Sequence, residues 1–206
     1  RTRASVRSLK HKLKTGALGA IVHVEVRVPW WRDQAYYDAP GRGSYARDGG
    51  GVMINQAIHT VDLALWLAGP ISDVQALMRT SPLHRMQAED IAAGLLTFAC
   101  GASGVLSATT AAYPGGAESI AITTTRAQAT LVGDDLRIDW NDGYQEAVAQ
   151  SATGTGGGAD PMAGRSRLCA CRLPADHASL LLPVPPQGRG RNRYKFPGQP
   201  GRACLL

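Results

Sequence analysis

Three side chains that can exchange protons or bind hydroxyl groups follow a run of glycines in the stretch DGGGVMINQAIHTVDLALWLAG, residues 48–69. They are Asn55, His59 and Asp62, at positions i, i+4 and i+7. At about 100° per residue, these positions fall within roughly a 60° arc of one α-helix. The spacing therefore predicts a polar line on a helix over about 52–67. An imidazole in such a line is suited to acid–base chemistry near neutral pH.

An apolar stripe lies about 100° round the same predicted helix, by the same helical spacing. Its members are Ile54, Ile58, Val61 and Leu65. Such a stripe is typical of a face packed on a core, so the polar line beside it is expected to form the wall of a cleft. The alternative is that His59 and Asp62 only cap or bond neighbouring backbone.

Composition limits the partners of this 206-residue chain. The formal net charge of +6 would suggest an acidic partner, but residues 1–163 hold 14 Lys and Arg against 15 Asp and Glu. The excess lies in residues 164–206, with 8 against 1. We therefore expect no nucleic-acid partner for the body. No apolar run is long enough for a membrane span, and with only Cys100 in the body we expect a reduced cytoplasmic protein.

A strand and short hairpins must position the helix. Valines and polar residues alternate over residues 19–28, with Val22, Val24, Val26 and Val28 on one face and His23, Glu25 and Arg27 on the other. This alternation is typical of a half-buried strand. A helix over about 3–15, ending at Gly16, precedes it, and a long loop rich in aromatic residues, arginines and glycines follows it.

Beyond the helix the sequence predicts short strands joined by hairpins. The candidates are residues 71–79, 90–99, 103–113, 118–125, 128–133 and 136–140. Successive hairpins indicate an antiparallel sheet with the helix covering one face. The predicted fold class is α+β: an open, largely antiparallel β-sheet with helices on one face, plus an irregular tail.

Residues 164–206 follow neither helical nor strand periodicity, and their prolines and glycines interrupt every candidate element. Cys169 and Cys171 lack a second pair at metal-binding spacing, so a zinc site is weakly supported. Two interpretations stay open: a segment read out of frame, which we favour from its crowding of Arg, Pro, Gly, Ala and Cys, and a disordered basic arm.

Three stretches together resemble the C-terminal domain of the Gfo/Idh/MocA oxidoreductases: GALGAIVHVEVRV, YYDAPGRGSYARDGGG and INQAIHTVDLALWLAGP. The resemblance covers about residues 5–160 and implies an N-terminal Rossmann domain that this sequence lacks. On this interpretation residues 1–16 form a helix linking from that domain, 17–163 the substrate and oligomerisation domain, and 164–206 the tail. Because the chain opens with Arg1 in what reads as mid-helix, we interpret it as a fragment.

The resemblance implies NAD(P)-dependent oxidation of a CH–OH group of a sugar, inositol or related polyol. His59 would remove the hydroxyl proton, alone or with a lysine of the Rossmann domain. Asn55 would hydrogen-bond a substrate hydroxyl or orient His59, and Asp62 would stand behind His59 as its orienting partner.

The resemblance also implies where the ligands bind. The expected substrate-binding residues are Arg27, Arg32, Tyr36 and Tyr37. Gly50 and Gly51 would let the backbone approach the cofactor closely, while NAD or NADP would be bound mainly by the absent Rossmann domain. The fragment itself would then be inactive, and the open sheet face would form a homo-oligomer.

Two other classes of function compete with the dehydrogenase. The chain could be a non-catalytic binding or oligomerisation module of the same fold. A metal-dependent hydrolase is disfavoured and no metal is expected, because Asn is a poor transition-metal ligand and the body holds no second histidine cluster. His23 and His84 are interpreted as surface residues.

Overall fold

The computed structural model describes residues 3–148 and the backbone of residues 192–195. Within these, one mixed sheet of nine strands carries helices on one face. In chain order the strands are β1 (Ile21–Pro29), β2 (Ile71–Arg79), β3 (Ile91–Phe98), β4 (Ser103–Thr109), β5 (Ser119–Thr124), β6 (Ala127–Val132), β7 (Asp135–Trp140), β8 (Gln145–Val148) and β9 (Asn192–Lys195). The prediction of an α+β fold with an open, largely antiparallel sheet is confirmed.

The strand order across the sheet is β8-β7-β6-β5-β1-β4-β3-β2-β9. All neighbouring pairs are antiparallel except β1 and β4, which run parallel in the middle of the sheet. The first strand in the chain therefore joins two hairpin series, β2–β4 on one side and β5–β8 on the other.

Four α-helices and one π-helical turn complete the described residues. They are α1 (Ala4–Lys14), α2 (Gln34–Asp38), α3 (Tyr45–Asp48), the π-helical turn (Met53–Ala57) and α4 (Ile58–Ala68). Helix α1 confirms the predicted first helix, and its apolar residues Val6, Leu9 and Leu13 are buried. None of the described helices has the length and apolarity needed to cross a membrane.

The core lies between α1, α4 and the covered face of the sheet. Val24, Val26 and Val28 of β1 are at most 3% exposed, and Ile120 and Ile122 of β5 are buried beside them. The apolar side of each strand alternates with a polar one, as the period of two predicted. Burial of this apolar area is the main favourable contribution to the stability of the domain.

Several features differ from the sequence prediction. Val22 is 48% exposed, because the β1–β5 register shifts between Ile21 and His23 and takes Val22 off the core face. The long loop after β1 contains the short helices α2 and α3, and β8 was not predicted. In the tail, the backbone of Asn192–Lys195 pairs with β2 as an added edge strand; the rest of residues 164–206 lies outside the described residues.

Candidate functional site

The candidate site lies at the end of the sheet where β1 finishes. Because β4 runs parallel to β1 and β5 runs antiparallel to it, the end of β4 and the start of β5 lie at this same end. The long β1–α4 connection, the β2–β3 loop and the β4–β5 loop therefore meet there. Most of the residues singled out by the sequence lie in or beside these loops.

The predicted helix begins with the π-helical turn, and this changes the direction of Asn55. In the π-helical turn (Met53–Ala57) the backbone makes i to i+5 contacts, so the assumed 100° step per residue does not hold before α4. The Asn55 side-chain amide donates to the carbonyls of Gly50 and Gly51, at 2.9 and 3.1 Å. Asn55 is exposed. Its hydrogen bonds link the glycine loop, which we define as residues 49–51, to the first turn of the helix.

The turn also displaces the apolar stripe. Val61 and Leu65 are buried, as predicted, but Ile54 and Ile58 are only partly buried. The buried face of α4 instead includes Ala64. The wider π-helical turn accounts for the displacement of Ile54, because it rotates the residues before α4 relative to that helix.

Glu89 holds the glycine loop from the β2–β3 side. Its carboxylate accepts the backbone N–H groups of Gly51 and Met53, both at 3.1 Å, and its own carbonyl accepts the N–H of Val52 at 2.8 Å. The side chain is buried, and burial raises the pKa of Glu89 above its usual value, while the N–H groups of Met53 and Gly51 oppose that shift.

Gly51 has a structural reason to be glycine. A Cβ placed there would lie 1.8 Å from the carbonyl oxygen of Glu89. At Gly50 the φ angle of 156° and a contact of 3.0 Å to Ile54 give a second such reason. Both glycines are buried against protein, so close approach of a cofactor to them stays a prediction.

His59 and Asp62 line an open cleft of about 240 Å³ at this end of the sheet. The other lining residues are Arg3, Thr60, Leu63, Glu118, Ser119, Ile120, Leu131 and Gly133. His59 is exposed, and its imidazole forms no hydrogen bond within residues 3–148. The predicted support of His59 by Asp62 is thus not seen as a hydrogen bond, and Asn55 lies outside the cleft lining.

The predicted substrate residues divide into two groups. Arg32 and Tyr36 are partly exposed, with the Arg32 Cζ atom 5.4 Å from the Tyr36 ring centroid. Tyr37 is buried, and its hydroxyl lies 2.6 Å from the Thr110 hydroxyl. Burial raises the pKa of Tyr37 to about 12. Tyr37 therefore supports the loop from inside and does not line a surface that a substrate could reach.

Arg27 is not brought together with His59. It projects from the exposed face of β1, whereas α4 packs on the face that carries Val24, Val26 and Val28. Arg27 lies opposite Ser107 of β4 and Ser119 of β5 on that open face. A substrate held at the cleft would have to reach round the end of the strand to contact it.

His84 is buried, so its interpretation as a surface residue was wrong. Its Nδ1 lies 2.6 Å from Asp90 Oδ2, and its Nε2 donates to the carbonyl of Arg32 at 2.8 Å. The His84 and Asp90 side chains are 1% and 0% exposed. Asp90 also accepts the Ser81 N–H and hydroxyl. This network ties the β2–β3 loop to the start of the long β1–α4 connection.

No group of three or more His, Cys, Asp or Glu residues in the described part of the chain could hold a metal ion. The described residues also contain no glycine-rich turn between a strand and a helix of the kind that binds the phosphates of a dinucleotide. What the site offers is a reachable imidazole, carboxylates at the cleft and a fixed loop of aromatic residues and arginines.

The fold and site together define an α+β domain whose open sheet carries a cleft-lining histidine on a helix after a glycine loop. The protein-family model of the GFO/IDH/MocA C-terminal domain matches residues 6–130 of this sequence. The chain therefore belongs to the Gfo/Idh/MocA family. No match was found among curated proteins.

Several solved structures similar to this chain are named as dehydrogenases. The WlbA dehydrogenase from Bordetella pertussis, in complex with NADH and UDP-GlcNAcA, is 37% identical, with a TM-score of 0.61. The alignment covers 65% of this chain and 40% of that one. The WlbA dehydrogenase from Chromobacterium violaceum, in the same kind of complex, is 36% identical, with coverage of 65% and 39% and a TM-score of 0.60.

A levoglucosan dehydrogenase in complex with NADH and levoglucosan is 21% identical, with a TM-score of 0.62. That alignment covers 69% of this chain and 43% of the other, and it shows likeness of fold. The chain thus spans about two fifths of the length of these structures.

Proposed function

We propose that this chain forms the substrate-side domain of an NAD-dependent dehydrogenase that oxidises a CH–OH group of a sugar-type substrate. The observation that carries the proposal is the exposed imidazole of His59 on the cleft wall, in a chain that belongs to the Gfo/Idh/MocA family. The two WlbA relatives, complexed with NADH, support NAD as the cofactor.

The chemistry needs a base for the substrate hydroxyl. His59 accepts the O–H proton as the C=O bond forms, and a neutral imidazole can do this near neutral pH. A bound NAD+ would supply the acceptor for the hydride that leaves the same carbon. A lysine of a cofactor-binding domain could share the proton transfer with His59. Asp62 lies on the same cleft wall as His59.

The described residues do not form a site for the adenosine and pyrophosphate of NAD. Their glycine loop is filled by Glu89, whose carboxylate occupies the N–H groups of Gly51 and Met53. The cofactor would accordingly be held by another domain, and the chain by itself would be inactive. The role proposed for this chain is to bind and orient the substrate and to take its proton.

A nucleotide-linked sugar is the substrate class we favour. Two WlbA structures that contain UDP-GlcNAcA are 36–37% identical to this chain, while the levoglucosan dehydrogenase is 21% identical. Inositol or another free polyol is the alternative within the same reaction type. The two substrate classes differ chemically: a nucleotide-linked sugar carries a diphosphate and a base, and a free polyol carries neither.

The function is tested in a full-length enzyme in which this chain is joined to a cofactor-binding domain. His59→Ala should lower kcat by roughly 10²–10⁴-fold, the usual contribution of a general base, with a smaller effect on cofactor affinity. Asp62→Asn should cost less. His11→Ala, at an exposed position of α1, is the matched control and should leave kcat unchanged. Full activity of His59→Ala would reject the assignment.

The open face of the sheet is the surface we propose for self-association. Leu77, Leu95 and Val132 are 44%, 59% and 45% exposed, and the strand register places all three on the face that carries Arg27. Exposed apolar side chains on one sheet face are typical of a surface that another protein covers. Leu95→Glu should convert an oligomer to a monomer in analytical ultracentrifugation, and an unchanged mass would contradict this.

A further inference from the structure

Two arginines and two aromatic rings form one cluster in the long connection after β1. The Arg32 Cζ atom lies 5.3 Å from the Trp30 ring centroid and 5.4 Å from that of Tyr36. The Arg42 Cζ atom lies 5.1 Å from the Tyr36 centroid. These distances are within the range of cation–π attraction. We call these four residues the Arg–aromatic cluster.

The positive charge of the cluster is not neutralised by its neighbours. Within residues 3–148, no carboxylate lies within ion-pair distance of Arg32 or Arg42. The nearby Asp33 carboxylate accepts the N–H of Tyr36 at 3.0 Å and caps α2. Two guanidinium groups beside a single ring repel each other, so an anion between or beside them would be attracted by both.

Hydrogen bonds to neighbouring backbone and to a buried histidine hold the cluster in place. Nη1 of Arg32 donates to the carbonyl of Trp31 at 2.8 Å, and the carbonyl of Arg32 accepts Nε2 of the buried His84. His84 is held in turn by Asp90. Because these contacts already order the loop, a ligand would bind the cluster with little further loss of conformational freedom.

The cluster belongs to the same end of the sheet as the glycine loop. Downstream of it in the same loop, the carbonyl of Gly43 accepts the N–H groups of Gln87 and Ala88 at 3.1 and 2.9 Å. The next residue, Glu89, binds the N–H of Gly51. The loop that carries the arginines is therefore linked, through the β2–β3 loop, to the start of the helix that bears His59.

This combination of groups matches a nucleoside diphosphate. Guanidinium groups bind phosphate oxygens through paired N–H donors, and they do so better than a point charge such as Lys. Aromatic rings and guanidinium planes stack on a base with little sequence preference. A free sugar or polyol carries neither an anionic group nor an aromatic ring, so the cluster would offer it no matching partner.

We infer that the Arg–aromatic cluster is the subsite for the diphosphate and base of a nucleotide-linked sugar. The inference rests on the proposed function for the choice of substrate class. It extends that function by naming Trp30 and Arg42, neither of which is among the predicted substrate-binding residues. It also assigns the cluster to the nucleotide part of the substrate and not to the sugar.

The test measures binding to the full 206-residue chain by isothermal titration calorimetry. The probes are UDP, UMP and N-acetylglucosamine. UDP should bind, UMP should bind more weakly because it has one phosphate fewer, and N-acetylglucosamine should gain nothing from the cluster. Affinity for UDP should fall as the salt concentration rises, since the attraction is between charges.

Arg42→Gln should weaken UDP binding by about tenfold or more, the effect of losing a charge-assisted hydrogen bond. Arg32→Lys keeps the charge and should also weaken it, because the planar donor pair is lost. Arg85→Gln is the matched control: it makes the same charge change at an exposed residue of the β2–β3 loop and should alter affinity by less than about twofold. Unchanged thermal midpoints would show that the variants are folded.

Three results would overturn the inference: no binding of UDP, binding that Arg42→Gln leaves unchanged, or an equal loss in Arg85→Gln. Binding of the free sugar without UDP binding would reject the subsite and leave the dehydrogenase assignment intact. UDP binding that depends on the cluster, together with full activity of His59→Ala in the joined enzyme, would support the subsite and reject the role assigned to His59.

Discussion

The carboxylate of Glu89 accepts the backbone N–H of Gly51 at 3.1 Å, while the carbonyl oxygen of the same glutamate occupies the space where a side chain at Gly51 would lie. One residue of the β2–β3 loop thus sets both the hydrogen bonding and the steric limit of the loop that begins the His59 helix. The position of His59 depends on a contact between segments far apart in the sequence.

Gly51→Ala should destabilise the domain by about 1–3 kcal/mol, the usual cost of forcing an extra group into a packed site. The added Cβ would come within 1.8 Å of a backbone oxygen that cannot move without the β2–β3 loop. Denaturant midpoints measure the change. Gly116→Ala is the control, because its Cβ would make an ordinary contact of 3.4 Å with Pro29. Equal midpoints for the two variants would contradict the steric account.

Glu89 should make stability depend on pH in a defined direction. Its folded-state pKa is raised by burial, so the folded protein keeps the proton over a pH window in which the unfolded chain has lost it. The contribution is fully present below the ordinary pKa of a glutamate and is lost as pH rises through the raised value. The side chain introduced by Glu89→Gln cannot titrate, so this contribution to the pH dependence of stability should be absent in the variant. Parallel pH profiles of wild type and variant would show the expectation to be wrong.

Tyr37 should ionise at a higher pH than an ordinary tyrosine. Its pKa is raised to about 12 by burial, against an ordinary value of 10.0. The stability it contributes is complete below pH 10.0 and is lost as pH rises through about 12. Absorbance titration should show a late phase that Tyr37→Phe removes and that Tyr36→Phe keeps. Tyr37→Phe should also cost about 1 kcal/mol, because the Thr110 hydroxyl loses a buried partner.

Removal of His84 should be more costly than its position in a loop suggests. His84→Leu leaves the buried Asp90 carboxylate without its imidazole partner, and breaking a buried pair of this kind costs about 3–5 kcal/mol. His23→Leu is the control: His23 lies on the open face of β1 and should change stability by less than about 0.5 kcal/mol. Similar unfolding free energies for both variants would remove the structural role assigned to His84.

The sheet could be predicted from the sequence because its signal is local. In β5, for example, Ile120 and Ile122 alternate with smaller residues, and burial follows the same period. Helices α2 and α3 were missed because five and four residues are too few to show helical periodicity. Their N-caps, Asp33 and Ser44, were the available signal.

The site was less predictable, because its geometry depends on distant contacts. Asn55, His59 and Asp62 were found from their spacing, but the π-helical turn that separates Asn55 from the other two has no local signature. The turn forms beside the backbone N–H groups of Gly51 and Met53. Both donate to the carboxylate of Glu89, more than 35 residues later in the chain. The burial of His84 likewise depends on the carbonyl of Arg32, 52 residues earlier in the chain. Hydrophobic periodicity carries no information about such partners.

Strand β9 gives β2 a neighbour on both sides over Asp73–Ala76. An uncovered strand at the end of a sheet presents a row of free N–H and C=O groups that another chain can extend, which is a common route to aggregation. Because β9 pairs with four residues of β2, only the two ends of β2 keep free backbone groups. Arg79, at one of these ends, adds a charge that disfavours pairing with another strand. Chains in which β9 cannot pair should therefore associate edge to edge through β2, without using the open face of the sheet.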